Sequence, residues 1–107
     1  MMIDNVTLVA ACKSVADALI KDPSAWNQGA YHWPPDGTRC LVGLLSQELK
    51  IDSTSVSELL DPWFRGTAEV WNDRPGRTVD SVVRKLRRIS KATETSNVAR
   101  LKANRVS

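Results

Sequence analysis

Apolar side chains return at spacings of three and four over most of the chain, and the stretches that keep this period predict helices. Residues 4 to 21 carry Val6, Val9, Cys12, Ala16, Leu19 and Ile20 on one stripe, with Lys13, Asp17 and Lys21 off it. This predicts a first helix, opened by Asp4 or Asn5 and closed at Asp22-Pro23-Ser24. Residues 40 to 49 are apolar on nearly every side through their first half and predict a central, buried helix. Gly43 inside it costs on the order of 1 kcal/mol against alanine, so another helix backbone or an indole is expected to pack closely there. Residues 53 to 60 predict a short helix begun by Ser53 or Ser55, with Val56, Leu59 and Leu60 turned inward. Asp61-Pro62 opens the next, a capping carboxylate before a proline, with Trp63, Phe64, Thr67, Ala68 and Trp71 as an aromatic-rich stripe. The last periodic stretch runs from Val79 to about Lys91. Val79, Val82, Val83, Leu86 and Ile89 form its apolar stripe, and Arg84, Lys85, Arg87, Arg88 and Lys91 fill the rest of its surface.

Two stretches break the period. Residues 25 to 39 crowd Trp26, Tyr31 and Trp33 around amide and glycine residues; the Asp36-Gly37 turn signal predicts a short ribbon of Ala30 to Trp33 with Thr38 to Cys40, made irregular by Pro34-Pro35. Residues 71 to 78, Trp-Asn-Asp-Arg-Pro-Gly-Arg-Thr, predict a tight corner. Asn72 and Gly76 tolerate the left-handed backbone that closes a helix, Pro75 cannot continue one, and Thr78 caps the next. A salt bridge from Asp73 to Arg74 or Arg77 would fix it. Residues 92 to 107 are polar, with Val98 and Leu101 as anchors for either a short helix from Asn97 to Asn104 or a frayed tail. The expectation is a mainly α, compact bundle of four to five helices with a short irregular β-hairpin between the first two. Residues 1 to 92 make a single helical domain and residues 93 to 107 a basic, weakly structured or short helical tail. Trp26, Leu41, Leu44, Leu45, Trp71, Val82 and Leu86 are expected in one core.

Composition changes the picture mainly through charge. Residues 1 to 73 carry a net of −5 and residues 74 to 107 a net of +8, within a formal total of +3. Such asymmetry predicts either a basic face for an anionic partner or a basic segment lying on the acidic body of its own domain. With no apolar run long enough to span a bilayer and no secretion signal, the expected location is the cytoplasm, away from the membrane.

Candidate chemistry is sparse. Cys40 at a helix start and His32 eight residues earlier are the one possible nucleophile and base, but a proline turn separates them and Cys40 opens a very apolar helix. One histidine and two separated cysteines cannot form a closed zinc site, both cysteines read as small buried hydrophobes, and no glycine-rich phosphate loop is present. No catalytic residue, metal or cofactor is therefore expected. An exposed Trp33 beside a rigid turn, with Tyr31, His32 and Trp63, would serve as a protein-binding surface. Arg84, Lys85, Arg87, Arg88 and Lys91, with Arg100, Lys102 and Arg105 in the tail, would bind nucleic acid through its phosphates without strong sequence choice.

The downstream corner, Trp71-Asn72-Asp73, one variable residue, then Pro75-Gly76-Arg77-Thr78, together with the upstream block Trp26-Asn27-Gln28-Gly29-Ala30 and the helix start Cys40-Leu41-Val42-Gly43-Leu44, resembles a small bacterial and phage domain family of uncharacterised function. The resemblance covers roughly residues 5 to 90. Trp33-Pro34-Pro35, Trp63, Phe64 and the tail after about Ala92 depart from its pattern. It implies a fold and a folding core and transfers no activity. Its phage membership favours a non-enzymatic interaction module that binds and modulates a host protein; the alternative is a nucleic-acid-binding protein using the basic last helix and tail.

Overall fold

A computed structural model describes residues 5–33, 35, 37–64 and 66–106, with side-chain detail at its described positions from Val6 to Ala92. Among the described residues five α-helices follow one another: α1 (Asn5–Lys21), α2 (Leu41–Leu49), α3 (Ser53–Leu60), α4 (Ala68–Asp73) and α5 (Val79–Val106), with single 3-10 turns at Pro23–Ala25 and Asp61–Trp63. The first helix packs mainly against the last and also against α2, which in turn meets α3 and α4. The residues that α1 buries are Leu8, Val9, Ala11, Cys12, Val15, Ala16 and Leu19, among them Val9, Cys12, Ala16 and Leu19 of the expected stripe. This buried face is broader than the one expected, taking in Leu8, Ala11 and Val15, while the expected stripe ends Val6 and Ile20 stand 70% and 52% exposed. From α5 come Val82, Val83, Leu86 and Ile89, and from the middle of the chain Leu41, Val42, Leu45, Val56, Leu60 and Ala68. Trp26, Leu44 and Trp71, expected in the core, pack against its edge half-buried.

The helix ends follow local chemistry. Cys40 caps α2, its Sγ accepting the Gly43 N–H at 3.5 Å, and Lys50 closes that helix in the left-handed conformation at φ 58°. For α3 the cap is Asp52, one residue before the serines expected, accepting from the Ser55 N–H at 3.0 Å. These bonds hold the Asp52 carboxyl below its usual range, the Ser55 hydroxyl first among them. The continuous helix expected from Asp61 is broken after one 3-10 turn. Gly66 sits at φ +89° and Thr67 starts α4 afresh, its hydroxyl accepting from the Val70 N–H at 3.2 Å. Thr78 caps α5 as expected, and the bond is reciprocated: Ser81 N–H donates to the Thr78 hydroxyl and Thr78 N–H to the Ser81 hydroxyl. The backbone of α5 runs well past Lys91, since no proline or glycine interrupts residues 92 to 106 and alanine, leucine, lysine and arginine recur there.

The expected hairpin does not form; among the described residues there is no sheet. Two isolated bridges take its place, Trp33 with Thr38 antiparallel and Trp26 with Arg39 parallel. Arg39 explains the outcome. Its N–H donates to the Ala25 carbonyl at 2.9 Å and its carbonyl accepts from Asn27 at 3.0 Å, so the backbone that would have paired with the Ala30 arm is taken by the segment leaving α1. On the Ala30 arm the described pairing is the single bridge at Trp33, and Pro35 beyond it brings no N–H.

Cys12 and Cys40 are both buried and free. Burial pushes the Cys12 thiol from 9.0 up to about 12 and raises that of Cys40. A thiol titrating higher in the folded state than in the unfolded one adds stability that is complete below the unfolded pKa and lost as pH rises through the folded one. The domain is therefore expected to lose stability from pH 9 towards pH 12, and Cys12→Ala to lose less over that window. Urea melts of the two proteins at several pH values check this; a difference between them that does not change with pH would exclude Cys12 as the cause.

Candidate functional site

The corner is locked to the upstream loop by one buried side chain. Asn72, which the sequence suggests as a left-handed corner residue, lies inside α4 and is 0% exposed. Its Oδ1 accepts from the Trp26 indole N–H at 2.6 Å and from the Leu41 N–H at 3.0 Å. Its Nδ2 donates to the Asn27 carbonyl at 3.1 Å and to Asp73 Oδ1 at 2.9 Å. Gln28 adds two bonds, to the carbonyls of Asn72 and Arg74, and the Gly29 N–H donates to Asp73 at 2.8 Å. The salt bridge expected at the corner is thus replaced. Asp73 is engaged by amide donors, while Arg77 lies over the Trp71 ring at 3.8 Å and donates from Nε to the Trp71 carbonyl at 2.9 Å. Both polar side-chain atoms of Asn72 have partners, so this residue builds the fold and has no side-chain atom left for a ligand.

Of the four aromatic-loop residues expected to form a protein-binding surface, three stand together in the loop and one does not stand free. Tyr31 and Trp33 are 45% and 52% exposed, and His32 between them is exposed. Trp33 is fixed by its own backbone, donating to the Thr38 carbonyl and accepting from the Gly37 N–H, both at 2.8 Å. Tyr31 donates its hydroxyl to Glu69 at 2.9 Å, which with burial raises its pKa. Trp63 is half-buried and packs against the core. Tyr31 also lines a cleft of about 240 Å³ with Cys40, Glu69 and Asp73. Among the described residues no hydrogen bond joins His32 to Cys40, whose thiol is held up by burial rather than lowered at the helix start, and no cluster of three metal-ligating side chains is found.

The basic residues of α5 lie outward, opposite the stripe that packs on α1. Arg84, Arg87 and Arg88 are exposed and have no ion-pair partner among the described residues. The reading that the basic segment lies on the domain's own acidic body is thereby overturned for these three, because the apolar stripe and not the charge makes the contact. Arg84 stands between two grooves. One, of about 460 Å³, is lined by Leu19, Ile20, Pro23, Val79 and Arg87 among others. The other, of about 470 Å³, is lined by Trp71, Ser81, Arg84, Lys85 and Arg88. Lys85, expected on the solvated face, is half-buried with its ammonium 4.7 Å over the Phe64 ring. Burial first, then Arg88 and Arg77, push its pKa down, and burial followed by Arg74 does the same to Arg77. Lys91 is exposed and engaged within the structure. Arg100, Lys102 and Arg105 fall on the part of α5 whose side chains lie outside the described residues.

This second groove escapes a reading of the sequence. It needs Trp71 and Lys85 brought together across the corner, and the signal for that is only the Pro-Gly turn between them. No helix among the described residues is long and apolar enough to cross a membrane. A family model described as a family of unknown function (DUF6197) matches residues 5–92, a span that contains both halves of the Asn72 joint and the basic turns of α5 up to Lys91. No curated protein and no solved structure matches the chain.

Proposed function

The chain belongs to that family of unknown function, and from this premise we propose that it is a non-enzymatic interaction domain whose binding face is the outward side of α5, engaging the phosphate backbone of nucleic acid. The observation that carries this reading is the row of outward arginines, Arg84, Arg87 and Arg88, exposed and without an ion-pair partner among the described residues, beside Lys85, whose charged form is disfavoured first by burial and then by Arg88 and Arg77. Cations held close together without counter-charges are stabilised by an incoming polyanion, and phosphates release condensed counterions as they bind.

The test is a salt series with labelled nucleic acid. Three phosphate contacts predict that log K falls with log salt at a slope of roughly −2 to −3. Replacing Arg84, Arg87 and Arg88 together by glutamate is expected to leave the helical circular dichroism unchanged and to weaken binding by at least about 100-fold at low salt. Binding that survives this reversal would overturn the assignment of the face.

A second reading is favoured by the exposure of Trp33 on a turn held by two backbone hydrogen bonds, with Tyr31 and His32 beside it. A rigid, half-exposed indole loses little freedom on docking and is the side chain most often dominant at protein interfaces. On this reading the chain is a mobile-element product that modulates a host protein, and Trp33→Ala rather than the arginine reversal would abolish association with its partner.

A further inference from the structure

The cations of α5 are not evenly placed, and the unevenness bears on which nucleic acid they fit. On one flank Arg84, Lys85 and Arg88 line a groove with Trp71 and no carboxylate, whereas the groove on the other flank, which Arg84 also lines, sets Arg87 beside Asp80 and the aliphatic Ile20, Pro23 and Val79. The indole is half-buried: Arg77 lies over its ring at 3.8 Å and Phe64 meets it edge-on at 5.4 Å, so only part of its surface faces the groove. It stands next to the Asn72 joint and shares the groove with three cations, Arg84, Lys85 and Arg88. At about 470 Å³ the groove falls within the range of small-ligand clefts, roughly 300–1,000 Å³.

A duplex brings phosphates and sugars to such a surface but keeps its bases stacked inside, where they cannot reach the indole. A single strand brings a phosphate and an unstacked base on the same nucleotide. Aromatic surface beside a cationic track is the arrangement that binds single strands with little sequence preference. Resting on the reading of α5 as a phosphate-binding face, we infer that the Trp71 groove is a seat for one nucleotide of a single strand, with phosphate on Arg84, Lys85 and Arg88 and the base against the indole. The domain is then a single-strand binder, and its affinity for duplex is what the outer arginines alone provide.

The experiment compares the full chain with a labelled single strand of roughly 15 nucleotides and a duplex of the same length, by fluorescence anisotropy at one low salt concentration. The single strand is expected to bind about tenfold more tightly, the order of one stacked base. Lys85→Glu with Arg88→Glu should remove that preference, whereas Arg87→Glu should weaken both ligands by the same factor. The comparison on the unaltered protein stands even where a variant fails to fold. Equal or tighter binding of the duplex, or equal weakening of both ligands by the Lys85 and Arg88 reversals, overturns the nucleotide seat while leaving phosphate binding by α5 intact. Absence of binding to either ligand overturns both.

Discussion

Replacing Asn72 by alanine is expected to destabilise the domain by about 4 kcal/mol, a large share of the roughly 5–15 kcal/mol that holds a domain of this size together. The side chain is fully buried and makes four hydrogen bonds, so truncation strands the Leu41 N–H inside the domain and removes the partners of the Trp26 indole, the Asn27 carbonyl and Asp73. A buried donor or acceptor without a partner costs about 1–3 kcal/mol, and the half-buried positions of Trp26 and Asn27 let water recover part of the loss. Asn72→Asp sharpens the test. It keeps an acceptor for Trp26 and Leu41 but sets a second carboxylate against Asp73, 2.9 Å from the present amide. Burial and that neighbour hold its folded pKa above the unfolded value, so the variant is expected to be less unstable below the ordinary carboxylate range than at neutral pH. Urea unfolding at both pH values reads the two effects; a loss below about 1 kcal/mol for Asn72→Ala would mean that the joint is dispensable.

The second large effect has the opposite sign to the one that helix propensity gives. Gly43 lies inside α2, where alanine would ordinarily add on the order of 1 kcal/mol of stability. Here a Cβ would fall 1.9 Å from the Tyr31 carbonyl oxygen and 2.7 Å from its carbon, with ordinary contact beginning at 3.4 Å. These are backbone atoms and cannot rotate aside. Either α2 or the loop must move by more than 1 Å, and the nearby bond from the Cys40 N–H to the Ala30 carbonyl, 2.9 Å, goes with it. Gly43→Ala is therefore expected to destabilise by about 3 kcal/mol. It should also displace Tyr31 and loosen the Trp33 turn. A chemical-denaturation midpoint equal to or above that of the unaltered protein would contradict the close approach.

What the sequence made legible was what is written locally. The Thr78 cap and the stripe of α5 are consequences of residues within a few positions of one another, and each lies where periodicity and turn chemistry place it; a glycine inside an apolar helix likewise signals the tight approach at Gly43. The neighbour at Gly43 is nevertheless a loop backbone, where a helix or indole was expected, because nothing in the period of α2 says what covers it. Asn72 was misread for the same reason. An asparagine followed by aspartate, proline and glycine looks like turn chemistry, and its four partners include residues 31 and 46 positions upstream. The one trace of that pairing is that both blocks begin with Trp-Asn, at residues 26 and 71. The hairpin failed because a competing strand partner, the exit of α1, claimed Arg39. Outward arginines were legible from spacing alone; the indole beside them was not, since Trp71 belongs to another helix and meets α5 only once the corner is closed.

The pairing of the first helix with the last sets the order in which a ribosome delivers this domain. The apolar stripe of α1 is made before the residues that cover it, Val82 to Ile89, which come near the end of the matched span. Until they emerge, the α1 stripe with Leu8, Cys12, Val15 and Leu19 lacks its main partner, and the nascent chain carries a partly uncovered apolar helix. The α1 stripe is therefore fully covered only after α5 has been made. The arginine-bearing helix that faces outward in the finished molecule is, on its other side, the piece whose arrival completes it.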